Sequence, residues 1–505
     1  MDDVLIVGAG PTGLTLALWL TKQGVPVRII DKSAGPGETS RAMAVQARTL
    51  ELYRQLDLTD AVIAAGHKNP ALNLWARGKR KAHISLGNAG ADITPYPFVL
   101  VYPQDQHERL LVERLHSLGV TVERQTELIA FEDKGDCVST RLRMPDGSEQ
   151  VCETHYLAGC DGARSPTRHQ LGTDFEGGTY KHVFYVADVE VVGLAPAGEL
   201  HVALDKGDFV LLMSYGKGNT YRLIGTVKDE RADRAETLTF DDVSHDAIQG
   251  LGIQIAKVNW FSTYRVHHRV ASAFRVRRTF LLGDAAHVHS PAGGQGMNTG
   301  IHDAINLAWK LAAVLKAQAP DSLLDTYGME RQAFARKLVD TTDRLFSFVT
   351  TEGNFADFVK TRIAPVFMSI AYKIDSVREL MFRLVSQTML NYHDSTLSEG
   401  EAGSVKGGDR LPWVPGASSD NYAPLSDIGW QVHVYGAAKP EIQTWCAQHR
   451  IALHVFEWTH AHEKAGLAQD AAYLLRPDTY VALASRKPSA EALSHYFSSR
   501  SYPLI

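Results

Sequence analysis

Three glycines near the N-terminus have the spacing of a dinucleotide-binding turn. Gly8-x-Gly10-x-x-Gly13 follows an apolar run at 4–7, typical of a buried strand, and opens a helical pattern. The first glycine allows the tight bend, the second lets backbone approach a pyrophosphate, and the third lets helix and strand pack closely. Asp31 stands 18 residues after Gly13, where a carboxylate accepts from both ribose hydroxyls and repels a 2′-phosphate. The pattern predicts an ADP moiety, as in FAD or NAD.

A second glycine-rich stretch lies in the second half of the chain. It reads Gly283-Asp284-Ala-Ala-His-x-x-x-Pro-x-x-Gly294-x-Gly296-x-Asn and runs into a helical pattern. Asp284 follows a predicted buried strand, where ligands of open α/β sheets bind, and its carboxylate can accept from a ribityl hydroxyl. The glycines let backbone lie against a flat ring, and the next helix directs its N-terminal dipole at that ring. This favours FAD over NAD.

A third segment reads Cys-Asp161-Gly162-Ala-Arg164-Ser-Pro-x-Arg168. By itself Asp-Gly is typical of a turn, and Ser-Pro is typical of the start of a helix. The segment therefore indicates function only in combination with the other two motifs.

Together and in this order, the motifs resemble those of the class A flavoprotein monooxygenases, the single-component aromatic hydroxylases of the p-hydroxybenzoate hydroxylase type. The resemblance covers roughly residues 1–400. It implies that Arg41 contacts the cofactor, that Gln104 lies near the ribityl chain, and that the Pro291 carbonyl faces substrate and flavin. It also implies contacts of the third segment with FAD and NADPH. The predicted cofactor-binding residues are Gly8, Gly10, Pro11, Thr12, Gly13, Asp31, Lys32, Arg41, Gln104, Asp161, Arg164, Gly283, Asp284, Pro291, Gly294, Gly296, Met297 and Asn298.

The resemblance also implies the reaction. NADPH or NADH, as a transient co-substrate, reduces FAD, and the reduced flavin forms a C4a-hydroperoxide with O2 that hydroxylates an electron-rich ring. The protein must hold that ring close and exclude water. The residue that would deprotonate a phenol is not fixed by the sequence, and the inner face of the predicted sheet at 178–274 is expected to line the pocket. Candidates on that sheet are His182, Tyr185, His201, Tyr215 and Tyr221, and the predicted catalytic set is Pro291, Tyr215 and Tyr221.

The apolar periodicity predicts an α/β protein with a Rossmann-like FAD-binding domain. Residues 1–177 and 275–345 are predicted to form that discontinuous domain, and the alternating stretch 178–274 a β-sheet substrate domain. A helical region at 346–400 and an α/β segment at 401–505 are predicted to follow.

The C-terminal segment carries two further motifs. Gly408-Asp-Arg410-Leu-Pro and Leu475-Arg-Pro-Asp-x-x-Val resemble the thioredoxin-like tail of the phenol-hydroxylase and polyketide-hydroxylase branch. One departure is Thr479, where a glycine is usual. The tail has no CxxC, so a packing or dimer-contact role is expected rather than disulfide exchange. The polar, glycine-rich segment 398–409 before it is predicted to be a linker.

Composition excludes several other classes. The net charge of −5, with scattered basic residues, argues against nucleic-acid binding. The four cysteines show no metal-ligand spacing, and His287 and His289 have no evident third ligand, so no metal is expected and a reducing cytoplasm is favoured. No apolar run reaches the ~18 residues of a membrane span. A monomer or homodimer is expected, acting on a small aromatic molecule and O2.

Three other functions stay open at this point. The chain could be a flavin monooxygenase that inactivates an antibiotic or performs a Baeyer–Villiger oxidation. It could be a flavin reductase or dehydrogenase on a similar scaffold. It could also be a redox-silent FAD-binding scaffold with an interaction module at its C-terminus.

Overall fold

Four β-sheets organise the residues that this computed structural model describes. Those residues are 2–37, 42–193, 198–205, 208–215, 218–227, 238–243, 245–289, 294–350, 375–416 and 419–503. Two predicted site residues, Arg41 and Pro291, lie outside these ranges, and their roles stay predictions.

A parallel arrangement in the first sheet brings the three sequence motifs to one edge. Asp2–Val7 lies between Val27–Asp31 and Glu149–Gly159, and Thr279–Leu281 lies beyond Glu149–Gly159, all running parallel. The carboxyl ends of these four strands are aligned in the register, with Val7 opposite Ile30 and Gly159, and Gly159 opposite Leu281. The residues that follow them therefore meet at the carboxyl edge, where open α/β sheets bind their ligands. The sheet also contains Glu123–Arg124, Glu127–Asp133, Val138–Arg143 and Arg275–Val276.

The first strand, turn and helix form the predicted βαβ unit with Val27–Asp31. Residues 4–7 are buried, as expected for a strand covered on both faces. The helix Pro11–Lys22 has proline at its first position, where the missing N–H costs no hydrogen bond, and residues 13–20 are all buried. The helix consequently starts at the carboxyl edge and packs along the sheet.

The second sheet has eight strands and extends beyond the segment predicted for it. The long strands Phe175–Gly193 and Ile253–Ala271 pair antiparallel, and Ile253–Ala271 also pairs with the edge strand His287–Val288. Ala71–Ala76 and Lys79–Ser85, which the sequence analysis placed with the FAD-binding segment, also belong to this sheet. Local periodicity cannot indicate this, because the link is a pairing with the sequence-distant strand Leu200–Asp205. The other strands are Asp208–Ser214, Thr220–Val227 and His287–Val288.

The C-terminal segment forms the third sheet, and the predicted linker is part of it. Glu399–Ala402 pairs with Val405–Lys406 and runs parallel to Val481–Ser485, so the linker prediction for 398–409 is wrong. Its glycines allow close contacts between backbone segments and do not indicate a flexible linker. Gly400 has φ 74°, and a side chain there would overlap with a carbonyl oxygen of the neighbouring strand. The remaining strands are Gln431–Tyr435, Ala452–Phe456 and Ala472–Leu475, and the small fourth sheet contains Ala44–Val45, His67–Asn69 and Val99–Val101.

Buried charges join the C-terminal segment to the rest of the fold. Arg476 contacts Glu330 at 2.6 Å, and Glu330 also contacts Lys310 at 2.8 Å, with all three side chains buried. Arg48 donates to the Thr479 hydroxyl at 2.8 Å. Thr479 has φ 68°, in the left-handed region that favours glycine. These contacts show the C-terminal motifs in a packing role.

Helices cover the sheets along most of the described chain. Across these residues, no helix combines the length and apolar character needed to cross a membrane. The helices are Pro11–Lys22, Ala47–Tyr53, Thr59–Ala65, Leu86–Gly90, Gln104–Ser117, Pro166–Leu171, Asp246–Gln249, Gly296–Leu315, Asp325–Thr350, Asp375–Ser386, Pro440–Gln448, His460–Lys464 and Ala490–Ser498.

Candidate active site

The glycine turn after the first strand is tightly packed at Gly8 and Gly13 and open at Gly10. Gly8 has φ 105°, and a side chain there would overlap with the carbonyl oxygen of Cys160. A side chain at Gly13 would overlap with the carbonyl oxygen of Gly8. A Cβ at Gly10 would meet no atom within 4 Å. A pyrophosphate can therefore approach the backbone at Gly10, where the helix Pro11–Lys22 presents its free N–H groups.

Backbone hydrogen bonds hold Asp31 at the edge of this turn. Its Oδ2 accepts from the Ala9 N–H and its Oδ1 from the Ser33 N–H, each at 2.7 Å. Arg124 Nη1 lies 3.8 Å from Oδ2. Because each carboxylate oxygen can accept more than one hydrogen bond, both remain able to serve ribose hydroxyls. The neighbouring Lys32 is exposed.

Gln104 begins the helix Gln104–Ser117, close to Asp31. Its Nε2 donates to Glu108 Oε1 at 2.8 Å. Burial raises the pKa of Glu108, and its carboxyl is near enough to Asp31 and Arg124 for their charges to act on this pKa. The structure thus places Gln104 at the same edge as Asp31.

The second glycine-rich stretch interlocks with the first through Thr12. Gly283 has φ 58°, and a Cβ there would lie 2.6 Å from Thr12 Oγ1. A side chain at Gly300 would overlap with the same oxygen. The Thr12 side chain therefore fills a notch between two glycines. The sequence analysis assigned Thr12 to the cofactor, but its hydroxyl faces the protein here.

Asp284 follows the strand Thr279–Leu281 at the carboxyl edge of the first sheet. Solvent reaches its side chain, yet the surrounding protein desolvates the carboxyl enough to raise its pKa, with the charge of His287 opposing that rise. A carboxyl group there can accept from a hydroxyl of a bound chain such as ribityl.

A buried ion cluster that the sequence analysis missed supports this loop. Asp303 Oδ2 accepts from the Gly283 N–H at 3.0 Å and contacts His287 Nε2 at 2.7 Å. Arg331 Nε donates to Asp303 Oδ1 at 2.6 Å. Burial alone would raise the pKa of Asp303, but the charges of Arg331 and His287 outweigh it and lower that pKa to about 2. One signal was available, because Asp303 interrupts an apolar helical pattern.

The third motif supplies one hydrogen-bond acceptor, Asp161, and one side chain, Arg168, that holds neighbouring backbone carbonyls. Asp161 Oδ2 accepts from the Thr167 N–H at 2.9 Å, whereas its Oδ1 is buried and has no partner among the described residues. Arg168 donates to the carbonyl oxygens of Ala285 and Ala163 at 2.9 and 2.8 Å. The motif is thereby tied to the loop of Asp284. Arg164 is exposed.

The helix Gly296–Leu315 begins next to the same loop, as predicted. Asn298 Oδ1 accepts from a backbone N–H and a threonine hydroxyl in the segment 46–49, at 3.0 and 2.8 Å. Its Nδ2 donates to the carbonyl oxygens of Ala44 and Gly294 at 2.8 and 3.0 Å. The Asn298 amide is thus hydrogen-bonded within the protein, and the contact of this residue with the cofactor stays a prediction. Gly296 and Met297 lie in the same first turn, and Met297 packs on the core.

One face of the second sheet is turned toward the segment that carries Gln104. Met213 on this face packs with Met43 and Val101. Tyr215 joins the same cluster, and Asp105 is near enough for its charge to act on the Tyr215 pKa. We call this surface the inner face. Its members are Phe184, Phe209, Leu211, Met213, Tyr215, Ile224 and Tyr264.

A buried ion pair lies in the inner face. Arg222 donates through Nε and Nη2 to the Asp188 carboxylate at 2.7 and 2.8 Å. Asp188 stands opposite Arg222 and Trp260, and Arg222 stands opposite Met213, so all four share the face. The guanidinium carbon is 5.6 Å from the ring centres of both Tyr215 and Trp260.

Three predicted pocket residues lie away from the inner face. Tyr221 is buried in a core with Tyr185 and the segment 240–251. Tyr185 stacks on Phe261 at a centroid distance of 6.0 Å. His201 is buried, and its Nδ1 accepts from a tryptophan N–H at 3.1 Å. This corrects the predicted pocket placement of Tyr221, Tyr185 and His201, because their strands turn these side chains to the opposite side. The side chain of His182 lies outside the described residues.

The groups gathered at the carboxyl edge fit an extended flavin dinucleotide. Open backbone at Gly10 suits the pyrophosphate, and the carboxylates of Asp31 and Asp284 suit hydroxyls at two separated positions. The buried Asp161 Oδ1 offers one further acceptor. A parallel sheet with two such glycine-rich stretches, beside a second sheet with an apolar face, defines a FAD-binding oxidoreductase.

Comparisons with known proteins give the family. Residues 1–342 match the FAD binding domain family, and the chain belongs to it. A 6-methylpretetramide 4-monooxygenase from Streptomyces rimosus is 37% identical over 415 residues, 80% of this chain and 72% of that protein. A flavin-dependent monooxygenase from Mycobacteroides abscessus is 32% identical over 497 residues, 95% of this chain and 96% of that protein. The structure of the OxyS anhydrotetracycline hydroxylase from Streptomyces rimosus matches with a TM-score of 0.79 at 27% identity, covering 100% of this chain and 99% of that one. The chain is a FAD-dependent monooxygenase.

Proposed function

We propose that this monooxygenase hydroxylates a polycyclic phenolic substrate of the polyketide type, with NADPH or NADH and O2 as co-substrates. The observation that carries the proposal is the inner face, an apolar surface packed against the segment that leads to Gln104. The names of two relatives support the substrate class, since they specify 6-methylpretetramide and anhydrotetracycline.

The residues of this chain bind and orient, and the bound FAD supplies electron transfer and oxygen activation. The apolar side chains of the inner face hold an aromatic ring by burial and keep water away from it. Asp31, Asp284 and the turn at Gly10 fix the two ends of the dinucleotide. The carbonyl of Pro291, from the loop between Asp284 and Gly294, is proposed to face the substrate, as the family resemblance implies.

Tyr215 is proposed to contact the substrate as a hydrogen-bonding group rather than as a base. Burial raises the pKa of Tyr215, and the charge of Asp188 raises it further, so the phenol stays protonated near neutral pH. A protonated tyrosine can donate one hydrogen bond and accept others. Its single O–H is hydrogen-bonded to Asp188, so its oxygen is left to accept from a substrate hydroxyl without removing a proton.

The third motif is proposed to contact the nicotinamide co-substrate. Arg164 is exposed beside the Asp161 turn, whereas Arg168 is buried and occupied with backbone carbonyls. An exposed guanidinium suits the phosphates of a molecule that binds only transiently. We further propose a reducing cytoplasm as the site of action, since all four cysteines are free.

The test is oxygen insertion by the FAD-loaded protein. NADPH and NADH oxidation would be measured with and without anhydrotetracycline and 2-naphthol, and products would be weighed after reaction in isotopically labelled O2. We expect substrate-stimulated oxidation of the nicotinamide and a product that gains one labelled oxygen atom. Oxidation that yields only hydrogen peroxide with every probe would instead identify an oxidase or reductase.

Tyr215→Phe and Tyr221→Phe form a matched pair for this test. Both remove one hydroxyl from the same sheet, but only Tyr215 lies on the inner face. We expect Tyr215→Phe to alter substrate-dependent oxidation with its FAD content retained, and Tyr221→Phe to leave it unchanged. Equal effects of the two substitutions would contradict the proposed orientation of the pocket.

A further inference from the structure

We propose that the Asp188–Arg222 pair determines substrate specificity, and that it selects aromatic molecules presenting a neutral hydroxyl or carbonyl over those presenting a carboxylate. The inference rests on the proposed function, because it assigns the inner face to the substrate. It adds a chemical class for the polar group of that substrate.

The position of the pair supports this assignment. Asp188 and Arg222 lie in one cross-strand row with Trp260 and Met213, and Tyr215 lies beside the guanidinium. The named members of the inner face are otherwise apolar or aromatic. A flat ring lying on this surface would consequently meet its fixed hydrogen-bonding groups at the end marked by Tyr215 and the ion pair.

The charges of the pair cancel, and this sets the preference. Arg222 has 3% of its side chain exposed and gives two donors to Asp188, whose side chain is 15% exposed. A substrate carboxylate would lose its hydration on this face, would be repelled by Asp188, and would find a guanidinium already neutralised. A neutral hydroxyl or carbonyl loses less hydration, and a hydroxyl can still donate to the Tyr215 oxygen, whose own O–H is hydrogen-bonded to Asp188.

Asp188→Asn should invert this preference. The amide keeps the shape of the carboxylate but removes the negative charge beside Arg222, and a guanidinium without that neighbouring charge attracts a carboxylate more strongly. The variant therefore changes which ligand is favoured, which a purely structural role for Asp188 would not do.

The test uses 2-naphthol and 2-naphthoate as probes of equal ring size. Their dissociation constants for the FAD-loaded protein would be measured by equilibrium dialysis near neutral pH, where the first is neutral and the second is ionised. We expect the wild type to favour 2-naphthol by at least about tenfold, and Asp188→Asn to move the ratio of the two constants toward 2-naphthoate by at least about tenfold.

Three further variants keep the test decisive. Glu190→Gln removes a negative charge from the same strand, at a side chain that is 46% exposed and 3.6 Å from Lys257, and should leave the ratio unchanged. A double variant, Asp188→Asn with Arg222→Gln, carries no charge at the pair and should keep the wild-type preference. If Asp188→Asn does not load FAD, Arg222→Gln decides the question, because it leaves the negative charge of Asp188 unpaired and should raise the preference for 2-naphthol above that of the wild type.

Several results would overturn the inference. These are an unchanged ratio in Asp188→Asn, an equal shift in Glu190→Gln, a preference of the double variant for 2-naphthoate, and no binding of either probe by the wild type. The assay needs no turnover, so a wild type that binds both probes as expected but inserts no oxygen would count against the proposed function alone.

Discussion

Gly300→Ala tests the interlock between the two glycine-rich stretches. A Cβ at Gly300 would overlap with Thr12 Oγ1 and would lie 3.1 Å from the Gly283 Cα. Forcing an extra methyl group into a filled core costs about 1–3 kcal/mol, while alanine in place of glycine inside a helix gains about 1 kcal/mol. We therefore expect the single variant to lie between unchanged and about 2 kcal/mol less stable to unfolding.

Thr12→Ala should rescue this variant, since it removes the atom that the new methyl group meets. The double variant is expected to be more stable than the sum of the two single effects by about 1–3 kcal/mol. FAD affinity should follow the same order, because Gly283 and Thr12 lie in the two stretches proposed to hold the cofactor. A free-energy difference of that size corresponds to about a 5- to 150-fold change in the dissociation constant.

The assay is urea denaturation of the four proteins, together with FAD binding followed by fluorescence. Gly328→Ala is the matched control, because Gly328 lies in the helix Asp325–Thr350 and a Cβ there meets no atom within 4 Å. It should gain about 1 kcal/mol from helix propensity alone. If the effects of Gly300→Ala and Thr12→Ala add within about 0.5 kcal/mol, the interlock is refuted.

Three other predictions concern single side chains. Burial lowers the pKa of His107 from 6.5 to about 4. As the pH drops between these values the unfolded chain takes up a proton first, so the free energy of unfolding falls by on the order of 3 kcal/mol. In denaturation experiments across that pH range, His107→Gln should lose less of its free energy of unfolding. Thr479→Val removes the hydroxyl that accepts from Arg48 and should lower the free energy of unfolding by about 1.5–3 kcal/mol, whereas Thr479→Ser, which keeps it, should not. Glu330→Gln weakens a buried pair with Arg476 and should cost about 3–5 kcal/mol; a cost under about 1 kcal/mol in the same assay would contradict the importance of that pair.

Predictions from the sequence were correct where the residues of a motif lie close together in the chain, because local structure alone then fixes their geometry. Gly8, Gly10 and Gly13 act within one turn, and the strands before Gly8 and Gly283 are short buried runs, so local pattern places both at the carboxyl edge. The FAD-binding fold and the monooxygenase family predicted from these motifs are both confirmed. Asp303 could not be placed in the same way, because its partners Gly283 and Arg331 are brought to it only by tertiary packing.

The sheet shows a second limit of pattern reasoning. Alternation along a strand predicts that Tyr221 and Leu223 share a face, but it does not say which face meets the FAD-binding side. In the structure Tyr215 lies on the inner face, whereas Tyr221, which pairs with Ser214, packs with Phe240 on the other face. The packing of sequence-distant segments on the sheet decides this, and the alternation along one strand does not contain that information.

The helix Gly296–Leu315 explains why the C-terminal segment and the cofactor loop belong to one structure. Asp303 holds the backbone of Gly283, while Trp309 and Lys310 on the same helix contact Asp478 and Glu330. A buried ion pair is costly whenever one partner is left alone, so the contacts around Glu330 penalise every other arrangement of the C-terminal segment. The positive φ of Thr479 is tolerated within this arrangement. One helix thus fixes both the loop proposed to bind FAD and the docking of the segment that follows.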